Sequence, residues 1–400
     1  MVGKTSVARP GRAVVVGAGI GGLAAAVALR RLGWQVEVFE RARQLGEVGA
    51  AVSIAPNAVK ALRALGLEPA LRSAASALDG LESRARGGRR ITSVSAALLR
   101  DRYGAGLYNI HRAALHSLLL EALGSGSVRT SRTVTAVSTD QDRAAVSLDG
   151  PDGPVTVEAD LVVAADGVRS RLRGALFPGH SGPAYAGYTI WRGLVPAEAA
   201  HRTGVPALLS ETWGRGARFG HAPIGDGRAY WYAFENAEPG AVHEHSVAAL
   251  VTRFADWHHP VPSLIAATPT EALLRDDVHY LVEPLPSFVA GRVALLGDAA
   301  HAVTPDIGQG AGLAIEDAVV LAAELATAAV LPALRSYDTA RRPRTQRLAR
   351  DSGRIGHMLM NPSRIAAAVR DASAAVLPAS VAMKTVADVY AWNPPSPDAA

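Results

Sequence analysis

Residues 12–40 hold the pattern that most narrows what this chain of 400 residues can become. A β-branched run, Arg12 to Val16, leads into Gly17-Ala18-Gly19-Ile20-Gly21-Gly22, helical composition follows to Gly33, and Gln35 to Glu40 alternates apolar and polar. The spacing predicts a strand, a helix and a second strand, the βαβ unit of a parallel sheet. Glycines at Gly17, Gly19 and Gly22 permit a tight turn and close backbone approach, and the helix N-terminus beginning at Ile20 and Gly21 faces an anion such as a pyrophosphate. Glu40 ends the second strand, where a carboxylate can accept both hydroxyls of a ribose, so the site suits FAD or NAD and argues against NADP there.

Composition removes other classes. The chain has no Cys, which excludes disulfides, thiolate metal sites, iron–sulfur clusters and a Cys nucleophile; no metal is expected. Lys+Arg 41 against Asp+Glu 36 leaves a net charge of +5, carried by arginines dispersed among acids and without interleaved aromatics, so nucleic acid is not expected as a partner. The apolar run Ala13 to Leu29 carries Gly17, Gly19, Gly21 and Gly22 in its first half and closes on Arg30-Arg31, which argues against a membrane span or signal segment. A cytoplasmic monomer or homodimer is the expectation.

Further along, helices are expected at Asn57 to Leu65 and Ala113 to Leu123, and strands near Val128 to Val137, Ala144 to Leu148 and Val155 to Ala165. From about 183 the character changes to short strands, with Ala217 to Ile224 and Ala229 to Phe234 joined as a hairpin by Gly225-Asp226-Gly227. Eight of the fifteen Trp and Tyr residues fall between Tyr185 and Trp257, which marks this section as a candidate substrate wall, with sheet packing as the alternative. A strand at Arg292 to Leu296, a long helix from near Gly310, a basic helix at about Leu334 to Arg350 and a loose tail from Pro394 complete the reading.

Two later motifs carry a resemblance. Arg292 to Ala318, RVALLGDAAHAVTPDIGQGAGLAIEDA, is similar to the second flavin fingerprint of the group A flavoprotein monooxygenases, the para-hydroxybenzoate hydroxylase fold. Asp160 to Arg173, DLVVAADGVRSRLR, resembles the family's Asp-Gly motif, with Ala164 where Gly is more usual. Val48 to Leu62 and His111-Arg112 match further family segments, and the compact salicylate and urate hydroxylases are the members this chain most resembles. The resemblance implies an α/β fold: a Rossmann-like FAD-binding domain with a mixed sheet (12–182 and 291–350), an inserted antiparallel-sheet substrate domain (183–290, with room for strands from 67–110) and a C-terminal helical segment and tail (351–400).

It also implies a tightly bound FAD, held by Gly17, Gly19, Ile20, Gly21, Gly22, Glu40 and Arg41, by Val52, Arg112, Asp166 and Gly167, and by Asp298, Pro305, Gly308, Gln309, Gly310 and Ala311. Asp298 would hold a ribityl hydroxyl, and the helix start after Gly308 would face the flavin N1 and C2 carbonyl, where charge grows on reduction. NAD(P)H would visit transiently, O2 would add at flavin C4a, and the resulting hydroperoxide would hydroxylate an aromatic, phenolic or heteroaromatic small molecule. The alternatives are a FAD-dependent epoxidase or natural-product tailoring oxygenase, and a flavin reductase or dehydrogenase that incorporates no oxygen.

For catalysis the strand Ala217 to Ile224 offers Arg218 on one face and His221 on the other, and only one of these faces can meet a pocket. His221 resembles a catalytic His of the salicylate hydroxylases and is favoured as a base, with a plain sheet histidine as the alternative; Arg218 resembles a substrate-anion Arg of the urate hydroxylases. Tyr232, sharing a face with Tyr230, and Arg192 in GYTIWRG are further candidates for substrate contact, and His301 is expected to be structural.

Overall fold

The structure, a computed structural model, describes residues 10–46, 50–151, 153–241, 246–376 and 387–395. The expected flavin-lining Val48 and Gly49, most of the N-terminal tail and the end of the C-terminal tail from Ser396 lie outside these residues.

Strand Arg12–Val16 forms the spine, because Ala13, Val14 and Val15 are wholly inaccessible and must be covered on both faces. It pairs in parallel with Gln35–Phe39 on one side and Leu161–Ala164 on the other. Val128–Arg129 and Val293–Leu295 extend the sheet in parallel, and Val289–Ala290 closes it antiparallel, giving the mixed six-stranded sheet expected of the FAD-binding domain. Helix Ile20–Arg31 lies against helix Gly310–Thr327, and a Cβ at Gly21 would come within 2.9 Å of Leu296 and 3.0 Å of Ala314. The motifs nearly 300 residues apart are thus brought together by one close helix crossing.

Two expected strands are broken. Val128 to Val137 divides at Ser131, whose φ of 53° turns the chain out of the first sheet into Thr133–Thr139 of a separate three-stranded one. Val155 to Ala165 divides at Asp160, whose N–H donates to Arg12 O while its carboxylate accepts from Arg12 N–H, so the two halves join different sheets. The basic helix is also longer than expected: it runs Val330–Leu359, so the boundary placed at 350/351 falls inside one continuous helix.

A second sheet has seven strands in the order Leu274–Tyr280, Ala184–Val195, Ala229–Asn236, Ala217–Pro223, Leu208–Trp213, Gly80–Ala85 and Arg90–Ser95. The last two come from the 67–110 stretch. Register sets what each face carries: Tyr232 stands opposite both Arg192 and Gly220, and Glu211 opposite Gly220. Arg192, Glu211, Arg218, Tyr230 and Tyr232 therefore share the face toward the flavin-domain loops. The other face carries Trp191, Phe219, His221 and Trp231 under helices Val247–Arg253 and Val261–Ala266, with Phe219 stacked on Trp231 at 5.3 Å.

His221 is 2% exposed, its Nδ1 has no hydrogen-bond partner, and burial holds its pKa down at about 4. The folded state keeps the ring neutral while an unfolded chain protonates near pH 6.5. Stability from this group is complete above pH 6.5 and declines as the pH falls toward 4, by about 3 kcal/mol in total. Urea unfolding of wild type and His221→Leu should therefore show a flatter pH profile for the variant across that window; parallel profiles would refute the assignment.

Candidate active site

The glycine turn is shaped by contacts that leave no room for side chains. Gly17 has φ of +101°, and a Cβ there would lie 2.4 Å from Ala165 O; a Cβ at Gly22 would lie 2.0 Å from Gly17 O. At Gly19, Gly167 and Gly310 a Cβ would meet nothing within 4 Å, because these backbones face open space. That space is a groove of three adjoining cavities. One end is walled by Gly17, Glu40, Arg41, Asp166 and Gly167, the middle by Gly19, Ile20, Arg112 and His116, and the other end, about 290 Å³, by Gly22, Val52, Arg192, Asp298, Gly310 and Ala311.

Each wall residue has a fixed local geometry. Glu40 accepts the N–H groups of Ala18 and Ala42, both at 2.9 Å, which pins its carboxylate at the mouth of the glycine turn with acceptor capacity to spare. His116 bonds Ala18 O at 2.7 Å, and Arg112, one turn before it, borders two of the cavities and makes no ion pair among the described residues. Asp166 caps helix Arg171–Leu176, accepting from Ser170 Oγ at 2.6 Å and from the N–H groups of Arg171 and Leu172. Buried Arg173 ties this motif to the next by donating to Val168 O and Ala299 O.

Asp298 lines the groove with its side chain exposed, and desolvation by the protein around it raises its carboxyl above the usual range. Pro305–Ile307 is a short 3-10 turn ended by Gly308 at φ +61°, after which Gln309 caps helix Gly310–Thr327. An adenosine ribose at Glu40, a pyrophosphate at Gly19 and Arg112, a ribityl chain at Asp298 and a ring system against Val52, Gly310 and Ala311 fit this groove.

Across from the ring end stands the charged face of the second sheet. Arg218 is wholly buried; it pairs with Glu211 at 3.3 Å and with Asp306, and its guanidinium lies 4.4 Å from the Phe234 ring centroid. Tyr232 donates to Glu211 at 2.8 Å and Tyr188 to Asp306 at 2.7 Å, and burial beside these carboxylates raises both phenols. Arg192 pairs with Asp276 and reaches the flavin cavity. The Nε groups of Arg192 and Arg218 are enclosed without hydrogen-bond partners.

The structure does not bring His221 to this site. Strand parity points it into the outer layer, beside Phe219, so the favoured base is corrected to a packed sheet histidine. His301 bonds Asp317 at 2.6 Å within the core. Glu211, Asp306 and Tyr188 were not anticipated. Asp306 was visible inside PDIGQG as an acid between Pro305 and Gly308, and Glu211 as the one acid of its strand; neither could be paired with Arg218 without the register.

Fold and groove define a flavoprotein monooxygenase of the aromatic-hydroxylase class. Residues 12–352 match the family described as FAD binding domain, FAD_binding_3, and the chain belongs to it. It is 39% identical to the aurachin C monooxygenase/isomerase of Stigmatella aurantiaca over 86% of this chain and 88% of that one. It is 37% identical to an FAD-dependent urate hydroxylase of Klebsiella pneumoniae over 84% and 87% of the two chains. The crystal structure of Klebsiella pneumoniae HpxO complexed with FAD and uric acid superposes with a TM-score of 0.88 at 33% identity, covering 95% of this chain and 96% of that one. Among the described residues no helix is long and apolar enough to cross a membrane.

Asp298→Ala removes the carboxylate from the ribityl end of the groove. The purified variant should lose its yellow colour while keeping wild-type circular dichroism; full FAD occupancy would overturn the assigned role.

Proposed function

We propose that this enzyme hydroxylates a planar heteroaromatic or phenolic ring held between the flavin and the Arg218 face, with NAD(P)H as the transient reductant, as a cytoplasmic monomer or homodimer. The carrying observation is the mixed character of that face. Arg218 and Arg192 each hold an unpaired Nε–H, and the partly exposed Glu211 offers carboxylate oxygens beside Arg218. Donors beside acceptors match a ring edge that alternates C=O or O⁻ with N–H or O–H, and match a simple carboxylate less well because Arg218 is already neutralised. The similarity to urate hydroxylases, whose substrate is such a ring, supports this reading.

FAD, when bound, supplies the oxygen-activating and oxygen-transferring chemistry. The chain's own residues bind and orient the ring. Deprotonating a ring O–H or N–H makes the adjacent carbon more nucleophilic, and Glu211 is the partly exposed carboxylate that would take that proton in place of His221, while Asp306 is wholly buried with its oxygens held by Arg218 and Tyr188. Tyr232 and Tyr188 fix those carboxylates by donating to them, and the packed aromatic face around Phe234 keeps water out.

Oxidation of NADH and NADPH should be followed in air with a panel of hydroxylated N-heterocycles, phenols and aromatic acids, with peroxide measured alongside. A ring of the first two kinds should speed oxidation by orders of magnitude with peroxide well below the nicotinamide consumed; oxidation without oxygen uptake would favour a dehydrogenase. Tyr232→Phe, which removes one hydroxyl from the wall, should keep FAD but lower kcat/KM by about tenfold or release more peroxide. Unchanged kinetics would exclude Tyr232 from the site.

A further inference from the structure

Gln309 is the side chain on which the flavin-facing helix start is anchored. It lies between Gly308 and Gly310, two residues that leave the backbone free to move, and it caps helix Gly310–Thr327 without a side-chain hydrogen bond to that helix. Its side chain is buried and instead meets Asn57, whose Nδ2 lies 2.9 Å from Gln309 Oε1 and 2.7 Å from Glu316 Oε1. Glu316 is wholly inaccessible and is gripped by Arg341 at 2.7 Å and Arg344 at 2.9 Å. Its oxygens can only accept, so the Asn57 atom facing it must be the amide nitrogen. Asn57 then has a second N–H to give, and the Gln309 atom facing it must be the carbonyl oxygen.

One charge therefore dictates the orientation of two amides in series, and Gln309 is left with its N–H₂ end as the free donor. The arrangement carries a local cost, because Asn57 Oδ1 is buried with no donor. A packing role alone would be filled by an apolar residue without that cost, and such violations concentrate where a site must be held in one geometry. The relay continues outward. Arg344 also donates to Asp388 O and Val389 O, and Lys60, on the same helix as Asn57, donates to Tyr390 O at 2.9 Å and Asn393 Oδ1 at 3.0 Å. Residues 387–395 strap the far end of the relay in place.

We propose that Asn57 and Glu316 are positioning residues of the flavin site: through Gln309 they fix the N-terminus of helix Gly310–Thr327 against the pyrimidine edge of FAD, and the 387–395 strap holds them through Arg344. The proposal rests on FAD lying along the groove as described. A fixed helix start there stabilises the charge gained on reduction, so loosening it makes the flavin harder to reduce without removing any group that touches substrate.

The test uses the purified holoenzyme and the variants Asn57→Ala, Glu316→Gln and Arg344→Gln. FAD content, the flavin midpoint potential, sulfite affinity and thermal midpoint are measured on each. The flavin of Asn57→Ala and Glu316→Gln should show a more negative potential and sulfite binding weakened by about three- to tenfold, with Arg344→Gln shifting both in the same direction by less. Asn57→Ser, which keeps one hydroxyl donor, should recover part of the shift. Variants that retain FAD and melt earlier but keep wild-type potential and sulfite affinity would overturn the proposal and leave a purely structural network. If Asn57→Ala fails to fold, partly exposed Arg344 at the edge of the relay decides by the same two outcomes. A wild-type protein that carries no flavin and takes none up would instead sink the assignment of the groove, and the proposal with it.

Discussion

Asp317 is the point from which the flavin half of the molecule is held. Its carboxylate accepts the N–H of Gly297 at 3.0 Å, His301 Nε2 at 2.6 Å and Arg341 Nε at 2.6 Å, all without solvent access. These interactions push its carboxyl far below the usual range. One side chain thus fixes the turn that presents Asp298, the short helix behind it, helix Gly310–Thr327 on which it resides and the long helix carrying Arg341. Burying a guanidinium and two carboxylates costs several kcal/mol per ion in lost hydration, so the cluster is weak as a source of net stability. Its value is in geometry. Removing one member would leave a buried, uncompensated charge at about 3–5 kcal/mol, which ties several segments to one arrangement more stringently than apolar packing would.

A second charged contact joins that half to the substrate sheet. Asp306, in the turn before the flavin-facing helix, is held by Arg218 and, two strands away in the same sheet, by Tyr188, and it packs against Gly356 of the long helix, where a Cβ would come within 2.3 Å of its Oδ2. Glycine in a helix interior costs about 1 kcal/mol relative to Ala, and here the carboxylate occupies the space so left. Sheet, flavin loop and long helix meet at this carboxylate, so the substrate wall cannot move relative to the flavin loop without breaking a buried ion pair.

What the sequence disclosed follows from how local each feature is. The βαβ unit, Glu40 and the glycine turn are set by steric demands among neighbouring residues, and they stand where spacing placed them; the two later motifs are as compact. The faces of the substrate sheet were half legible. Alternation separated Arg218 from His221, but which face met the flavin depended on strand order, with Leu208–Trp213 between Ala217–Pro223 and a strand from residues 80–85, and no period of two contains that information. The broken strands at Ser131 and Asp160 and the helix that runs through 350 have the same origin, since tertiary contacts, and not composition, end or prolong those elements. Asn57 and Glu316 lie in segments read for their likeness to flavin-binding stretches and Arg344 in the basic helix, but nothing in those segments linked the three side chains, and only their convergence in space does so.

The charge on the substrate face narrows the chemistry further than the fold does. Many folds of this kind could present an arginine to an acidic ring, yet here the guanidinium faces two carboxylates and an aromatic ring, so its remaining capacity is directional and amounts to a donor at Nε. Directional donors and acceptors in a desolvated wall discriminate strongly, because a ring lacking the complementary edge leaves buried polar groups unmet at about 1–3 kcal/mol each. A net charge could attract many anions; under the proposed function this face would select by pattern. Selection by pattern also suits a flavin enzyme, in which a poorly seated ring would leave the activated oxygen to be lost as peroxide, so the same contacts that choose the substrate protect the reaction.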